Sequence, residues 1–280
     1  MAVLQRGNRR GKVVHMHPES AALHVDGVSR SYDGRRGSTL ALDRFSLDVA
    51  DGELVCVVGP SGCGKSTLLD LLAGHQAPDA GHVYAHGEEV TGPSSRRMVI
   101  FQEHALFPWM TARRNVEFGL ELAGVGKAER RERADLWLHR VHLEQFADSL
   151  VHELSGGMRQ RVAIARGFAL EPEVLLMDEP FSALDAQTRD LLHGELQDLW
   201  TATGTTIVFI THNVREAVLL GDRVVSMSAH PGRIRRIVDV DLPRPRHMED
   251  PGLIDIAREL MSDLRDEVPT RRAFTDQQGA

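Results

Sequence analysis

The feature that most constrains this chain is a glycine-rich loop that follows a short apolar run. The run LVCVV occupies residues 54–58, and the next nine residues, GPSGCGKST, contain the pattern GxxxxGK[ST]. Glycines let backbone N–H groups converge on phosphate oxygens, and the helix that follows presents its partially positive end to the same anions. The pattern predicts a phosphate-binding loop made of Gly59, Pro60, Ser61, Gly62, Cys63, Gly64, Lys65, Ser66 and Thr67.

Three residues of this loop carry separate expectations. Lys65 is one of three lysines, beside 30 arginines, and its compact charge suits the β and γ phosphates of a nucleotide. The Ser66 hydroxyl is expected to bind Mg²⁺. Cys63 lies beside a helix start, where the pKa of a thiol can fall, although a small residue that simply fits the loop is the plainer interpretation.

The distribution of apolar residues predicts an α/β fold. Continuous apolar runs at 54–58, 174–177 and 206–210 are typical of parallel strands that are covered on both faces. Alternating apolar residues at 23–28 and 45–49 indicate half-buried antiparallel strands. We therefore expect a phosphate-loop ATPase core with a mixed or parallel sheet, an N-terminal antiparallel β subdomain and an inserted helical subdomain at about 103–170.

The chain divides into three predicted parts. Residues 1–20 are basic and lack apolar periodicity, which predicts a flexible tail. Residues 21–240 form the ATPase domain, and residues 241–280 form a C-terminal helical extension and tail. Within the extension, a stripe at three- and four-residue spacing predicts a helix that packs on the core in preference to a dimer seam: Ile254, Ala257, Met261, Leu264 and Val268.

Charge and composition exclude several classes of protein. The formal net charge of −7 argues against a role in coating nucleic acid, and no nucleic-acid partner is expected. No apolar run reaches the ~18 residues of a membrane helix, and the N-terminus lacks the apolar stretch of a secretory signal. Two cysteines, Cys56 and Cys63, supply neither a disulfide framework nor a zinc ribbon. Synthesis and function in the cytosol are expected.

A second chemical element follows the run VLLM at 174–177. Asp178 and Glu179 come next, and successive residues of an extended strand point to opposite sides. One carboxylate can therefore address a metal while the other turns toward water. We assign Asp178 to Mg²⁺ and Glu179 as the general base. Solvated acids at a strand end are the alternative, and the pair would be unremarkable without the phosphate loop.

A third motif indicates a family. Residues 154–161, LSGGMRQR, resemble the signature sequence of ATP-binding cassette (ABC) ATPases, and Ser155 can cap the helix that follows. The resemblance implies hydrolysis of ATP, with Mg²⁺ as the cofactor. A helix start of this kind is a second anion site. A chain with two anion sites but one hydrolysis site is explained if two copies face each other. Ser155, Gly156 and Gly157 of one copy would then bind the ATP held by the partner.

The resemblance covers residues 23 to about 235 and implies roles for four more side chains. Gln102 is similar to the glutamine that touches Mg²⁺ and the attacking water, and His212 to the switch histidine at the γ-phosphate. With Glu179, these two complete the predicted catalytic set. Tyr32 matches the aromatic residue that stacks on adenine, and Asp185 ends the segment SALD, which resembles a loop that crosses the dimer interface.

The chain departs from the family pattern in three places. Met158 replaces the glutamine that commonly ends the signature, and Asn213 replaces the acid that often follows the switch histidine. Neither position is expected to take part in bond breaking. The insert at 35–40 lengthens the loop after Tyr32, which leaves the exact stacking partner of adenine open.

Architecture and two further stretches favour an importer. The chain has a single cassette, which disfavours the tandem translation-factor type. The absence of a long insertion between Lys65 and Ser155 disfavours the DNA-repair type, and the absence of a fused membrane span disfavours exporters built as one chain. Residues 101–109, FQEHALFPW, and 228–234, SAHPGRI, resemble the nitrate, sulfonate and taurine import group. The resemblance implies a homodimer on the cytoplasmic face of the membrane. A soluble ABC ATPase scaffold without a permease is the alternative.

The importer interpretation implies further partners. Transmembrane permease subunits would bind the cassette, and a periplasmic or lipid-anchored solute-binding protein would act through them. Apolar and aromatic residues at 106–118 form either a groove for a permease helix or plain subdomain core, and the sequence leaves both open: Phe107, Trp109, Val116 and Phe118.

Overall fold

The computed structural model describes residues 21–34 and 37–265. In chain order its elements are β1 (Leu23–Gly34), β2 (Gly37–Val49), β3 (Leu54–Val58), α1 (Lys65–Ala73), β4 (Ala80–Ala85), β5 (Glu88–Glu89), β6 (Arg97–Ile100), α2 (Ala112–Leu122), α3 (Lys127–Arg140), α4 (Gly156–Ala169), β7 (Val174–Asp178), α5 (Ala186–Thr203), β8 (Thr206–Thr211), α6 (Val214–Leu220), β9 (Arg223–Ser228), β10 (Arg233–Asp239) and α7 (Pro251–Arg265).

The N-terminal strands form an antiparallel sheet in the order β2-β1-β4-β5. In the register of β1 and β2, Leu23 lies opposite Val49 and Val25 opposite Leu47, and all four side chains are buried. Apolar residues that alternate along a strand point to one face, which here packs inward. The antiparallel strands predicted for this region are confirmed.

The central sheet has the order β10-β9-β3-β8-β7-β6. Its strands run parallel except β10, which pairs with β9 in antiparallel fashion. Every residue of β3 and β8 is buried, as continuous apolar runs predict for strands that are covered on both faces. The carboxyl ends of β3, β7 and β8 meet at one edge, because Val58 pairs with Thr211 and Asp178 with Ile210.

Helices α2, α3 and α4 lie between β6 and β7 in the chain and pack on one another. The side chain of Thr111 caps α2 by accepting from the backbone N–H of Arg114. Trp137 of α3 stacks on Phe168 of α4, with ring centroids 5.4 Å apart. The two sheets and this helical insertion confirm the predicted α/β class and its three structural parts.

The segment after β10 is held to the core by a buried arginine. Arg246 is 3% exposed, and its guanidinium donates to the carbonyls of Val218, Gly221 and Val240. Burial lowers the pKa of Arg246 to about 10, so the side chain stays charged at neutral pH. Several backbone carbonyls thus share one buried cation, which makes each hydrogen bond charge-assisted.

Helix α7 packs on the core, as predicted, with its buried face shifted by about one residue from the predicted stripe: Ala257 belongs to both, and Met261 and Leu264 are partly buried against the same core. Its fully buried residues are Leu253, Ala257 and Leu260, whereas Ile254 and Met261 are half-buried. The predicted stripe began at Ile254 and therefore missed the two leucines. Because apolar residues occur on adjacent positions of this helix, spacing alone did not decide which of them face the core.

Some predictions fall outside the described residues. These are the basic tail at 1–20, the loop residues 35 and 36, and the end of the extension with Val268. The proposed domain boundaries remain predictions. Over the stretches 21–34 and 37–265, no helix combines the length and the apolar character needed to cross a membrane.

Candidate nucleotide site

The phosphate loop connects the end of β3 to the start of α1. Gly62 and Gly64 adopt left-handed backbone conformations, with φ of 78° and 94°. A Cβ atom at Gly64 would lie 2.8 Å from the carbonyl oxygen of Ala41 and from a methyl group of Leu42. Both the backbone conformation and the space therefore require glycine at position 64. Helix α1 begins at Lys65 and has no acidic residue in its own first turn, so the partially positive end of the helix faces the loop.

Lys65 and Cys63 occupy the inside of the loop. The Lys65 ammonium donates to the carbonyl oxygens of Gly59 at 2.9 Å and Pro60 at 3.2 Å, and the side chain is 7% exposed. Its charge is thus held at the loop that would receive the phosphates. The side chain of Cys63 is fully buried and packs in an apolar cluster, with its sulfur 4.0 Å from the Lys65 ammonium. That burial supports the plainer interpretation of Cys63 as a small packing residue.

Asp178 ends β7 and faces the loop. Burial raises the pKa of its carboxyl, and the charge of Glu179 adds to the rise, whereas a hydrogen bond from the Ser66 hydroxyl opposes it. A buried carboxylate beside another carboxylate is relieved by a cation. Its oxygens, with the Ser66 hydroxyl, are hard ligands that suit Mg²⁺ when nucleotide phosphates complete the coordination. The residues present therefore fit the predicted ion.

Gln102 follows β6 at the same edge of the sheet at which this carboxylate pair follows β7. Strands β6 and β7 run parallel with Ile100 opposite Met177, so Gln102 and Glu179 each follow that pair by two residues. The side chain of Gln102 is exposed. Its amide oxygen is a further hard ligand for Mg²⁺. Across the described stretches, no three His, Cys, Asp or Glu side chains are grouped as a metal site.

Glu179 and His212 form a hydrogen-bonded pair beside the loop. The distance from Glu179 Oε2 to His212 Nδ1 is 2.8 Å. Glu179 has a φ of 44°, a left-handed conformation that is strained for a residue with a side chain, and its N–H donates to the carbonyl of Ile210. A carboxylate fixed by an imidazole near the phosphate loop can accept a proton from water.

Tyr32 lies in the hairpin of β1 and β2 and is 37% exposed. Its hydroxyl donates to Oε1 of Gln76 at 2.9 Å, and the guanidinium carbon of Arg30 is 5.3 Å from the ring centroid. One face of the ring is therefore taken by a cation. A stacked adenine would use the opposite face.

The signature residues and Asp185 form a second group at the starts of α4 and α5. Ser155 is exposed, and its hydroxyl accepts from the backbone N–H of Met158 at 3.3 Å as the N-cap of α4. Asp185 caps α5 by accepting from the N–H and hydroxyl of Thr188, and these bonds lower the pKa of Asp185. A Cβ atom at Gly157 would lie 2.5 Å from the Thr188 methyl. Thr188 thus joins the two helix starts, which present their N–H groups outward.

Some polar residues near the site were not predicted from the sequence. Arg166 of α4 donates to the carbonyls of His104 at 3.0 Å and Ala105 at 2.7 Å, which ties the segment after Gln102 to the signature helix. Glu216 is 5% exposed and lies behind His212. The sequence signal that could have found Glu216 is an acidic residue within the otherwise apolar face of α6. Acidic side chains are rarely buried unless they are paired.

Replacing Asp178 with Asn is expected to raise the free energy of unfolding of the ligand-free protein at pH 7 by on the order of 1 kcal/mol. Burial disfavours the charged carboxylate of Asp178, so this group binds its proton more tightly in the folded state than in the unfolded state. The wild-type protein therefore loses stability by ionising Asp178, and this loss is complete only at pH values above the raised pKa. The gain should therefore shrink as the pH falls toward the ordinary pKa of Asp.

Urea unfolding at several pH values measures this gain. In parallel, the thermal shift produced by Mg²⁺ with ATP should be smaller in Asp178→Asn than in the wild type, because a metal ligand is lost. The Asp26→Asn variant removes an exposed acid of β1, away from the phosphate loop, and serves as the control. An Asp178→Asn protein that is less stable at pH 7 would contradict the assignment.

Comparisons with known proteins identify the family. A family model described as ABC transporter matches residues 42–182. The nitrate import ATP-binding protein NrtD of Synechocystis sp. is 48% identical over 79% of this chain and 83% of its own length. The taurine import ATP-binding protein TauB of Ruegeria pomeroyi is 46% identical over 77% of this chain and 81% of its own length.

A solved structure of an ATP-binding cassette also resembles this chain. A dimeric ATP-binding cassette in a post-hydrolysis state, bound to ADP and Pi, superposes with a TM-score of 0.69 at 32% identity and covers 79% of this chain and all of its own. The region matched by the family model, residues 42–182, includes the phosphate loop and the Asp178–Glu179 pair. The chain therefore belongs to the ABC transporter family, as an ATP-binding protein and ATPase of that family.

Proposed function

We propose that the chain binds Mg²⁺ with ATP at the phosphate loop and uses Glu179 as the general base for hydrolysis. The observation that carries this proposal is the 2.8 Å hydrogen bond between Glu179 and His212, located at the strand ends that also hold Lys65 and Asp178. The magnesium ion, held by Ser66, Asp178 and Gln102, would supply positive charge to the phosphate oxygens.

The chain's own residues divide the remaining work. Glu179 accepts a proton from the attacking water, and His212 keeps that carboxylate oriented toward the phosphate loop. Lys65 and the N–H groups at the start of α1 neutralise the charge that develops on the phosphate oxygens. Tyr32 positions adenine. Most of the rate therefore comes from positioning and electrostatics, since phosphoryl transfer needs little covalent chemistry from the protein.

Two copies of the chain are proposed to enclose two ATP molecules. Support comes from the exposed start of α4, where Ser155 and the N–H groups of Gly156 and Gly157 form an anion site without acidic residues in the first turn. Asp185 lies beside this helix start through Thr188. The similar ADP-bound cassette is itself a dimer. Each copy would then contribute its signature to the ATP held by the other.

We further propose that the dimer energises the import of a small anion or related solute, such as nitrate, a sulfonate or taurine. NrtD and TauB, the two relatives named above, are import ATP-binding proteins, which favours this role over a soluble scaffold. Closure around ATP would move permease subunits on the cytoplasmic face of the membrane, with a solute-binding protein delivering the cargo. The cassette itself is not expected to contact the cargo.

An exposed aromatic patch on the helical region supports a permease contact. Trp109 is 71% exposed and lies against Phe107, which also contacts Phe118 at a ring distance of 4.6 Å. Val116 is buried, so the stretch at 106–118 serves partly as core and partly as surface. Aromatic residues of this exposure are typical anchors of protein interfaces.

Replacing Trp109 with Ser is expected to weaken binding of the permease by roughly 30-fold, the usual loss for an interface anchor. The cassette would be reconstituted with its permease in proteoliposomes, and ATP-driven uptake of labelled nitrate, taurine or an alkanesulfonate would be measured. Hydrolysis by the cassette alone should stay unchanged, since Trp109 lies on the surface of the helical region.

The matched control is Leu191→Ser, which removes another exposed apolar side chain, 58% accessible on α5. Uptake that survives in Trp109→Ser at the wild-type level would refute the permease surface. A wild-type cassette that drives no uptake of any small anion would refute the importer assignment itself.

A further inference from the structure

Three buried polar side chains form a network behind the Glu179–His212 pair. Thr211, Glu216 and His193 are between 2% and 5% exposed. His193 Nε2 lies 2.7 Å from Glu216 Oε1, and the Thr211 hydroxyl donates to the other carboxylate oxygen. Because a carboxylate only accepts, His193 must carry a proton on Nε2. Both carboxylate oxygens of Glu216 are thus paired, which favours one arrangement of this buried group. His193 Nδ1 is buried without a hydrogen-bond partner among the described residues and lies 3.8 Å from Asp190 Oδ1, so the bond from Nε2 to Glu216 is what holds the ring in the network.

The network fixes the backbone on both sides of His212. Thr211 is the last residue of β8, and its hydroxyl oxygen also accepts from the N–H of Asn213 at 3.0 Å. The Asn213 side chain in turn caps α6 by accepting from the N–H groups of Arg215 and Glu216. His212 itself is largely exposed, so its position depends on these two flanking residues.

His193 also contacts the segment that follows Glu179. His193 belongs to α5, and its ring lies edge-on to Phe181 at 5.4 Å between centroids. Phe181 is 1% exposed and comes two residues after Glu179. A cavity of about 30 Å³ is lined by Glu179, His212 and Glu216. His193 therefore contacts both chain segments whose side chains meet in the catalytic pair.

We propose that His193 is a positioning residue for ATP hydrolysis. By donating to Glu216, it holds the carboxylate where Thr211 can bond to it, and it thereby keeps His212 within hydrogen-bond distance of Glu179. His193 does not reach the nucleotide in this arrangement. The inference rests on the proposed roles of Glu179 and His212, and it predicts a loss of turnover without a loss of ATP binding.

The test compares His193→Leu with His193→Gln in the full-length protein. Leu fills a similar volume but cannot donate, so kcat for ATP should fall by roughly 10- to 100-fold, as expected when a catalytic group is misplaced by about 1 Å. The KM for ATP should stay within about threefold, since the lost interaction acts in the transition state. Gln places an amide N–H near the position of Nε2 and should restore kcat to within about threefold of the wild type.

A second readout does not depend on turnover. Hydrogen exchange of the backbone amides at 211–217 should speed up by about tenfold or more in His193→Leu and stay near wild type in His193→Gln, because local opening follows the lost contacts. The control His24→Leu breaks a different His–carboxylate pair, between the part-buried His24 and the buried Asp48 of the antiparallel sheet. It should change neither the exchange at 211–217 nor kcat.

The outcomes separate the inference from the function on which it rests. A wild-type protein that hydrolyses no ATP refutes the proposed function. A competent wild type with unchanged kcat in His193→Leu refutes the inference alone, and so does an equal loss in the Leu and Gln variants. If His193→Leu does not fold, Thr211→Val against Thr211→Ser breaks the same network from its other end, with the loss expected only for Val.

Discussion

Glu179→Gln is expected to lower the steady-state rate of ATP hydrolysis by about 10²- to 10⁴-fold, the usual contribution of a positioned general base. The amide keeps the size of the side chain but cannot accept a proton from water. Lys65, Ser66 and the glycines of the phosphate loop are unchanged, so the variant should still bind ATP. Steady-state release of phosphate and the affinity for ATP, measured side by side, check both statements.

The same variant should reveal the dimer. Because hydrolysis no longer resets the closed state, ATP and Mg²⁺ should hold two copies together, which analytical ultracentrifugation detects. Glu171→Gln is the matched control, since Glu171 also has a left-handed backbone, with φ of 50°, but lies at the opposite end of β7 from Glu179. Wild-type turnover in Glu179→Gln would remove Glu179 from the role of base.

Ser155→Asp is expected to reduce hydrolysis by roughly 100-fold, whereas Ser155→Asn should retain most of it, because only Asp places a negative charge beside the partner's triphosphate. Asp and Asn are both good N-caps, so the start of α4 should survive in either variant. An ionised Asp at a helix N-terminus even stabilises that helix. Loss of activity in Ser155→Asp therefore cannot be assigned to an unfolded signature.

The Ser155→Asp and Ser155→Asn variants are best compared in two backgrounds, the otherwise wild-type chain and the Glu179→Gln chain. In the otherwise wild-type chain, hydrolysis is the readout, and ATP binding by the monomer should be equal in both variants. In the Glu179→Gln background, ATP should drive dimer formation with Asn at 155 but not with Asp. Equal dimer formation by the two would mean that the start of α4 does not face the nucleotide of a second copy.

Much of the fold followed from contiguous stretches of sequence. The apolar runs at 54–58 and 206–210 predicted strands buried on both faces, and the alternating residues at 23–28 predicted an antiparallel strand. In each case neighbouring residues carry the whole signal, because side chains alternate along a strand and a fully covered strand needs no polar face. The buried face of α7 was predicted only in part, with Leu253 and Leu260 missed, because that face depends on which surface of the core the helix meets.

The sequence by itself determined the local chemistry of the site: the left-handed glycines of the phosphate loop, the helix that follows it, and the caps at Ser155 and Asp185. These features depend on residues within a few positions of one another. The hydrogen bond from His212 to Glu179 and the bond from His193 to Glu216 join residues 33 and 23 positions apart. Only the parallel register of β7 and β8, and the packing of α5 on α6, brings such groups together, because no local pattern encodes distance between separate elements.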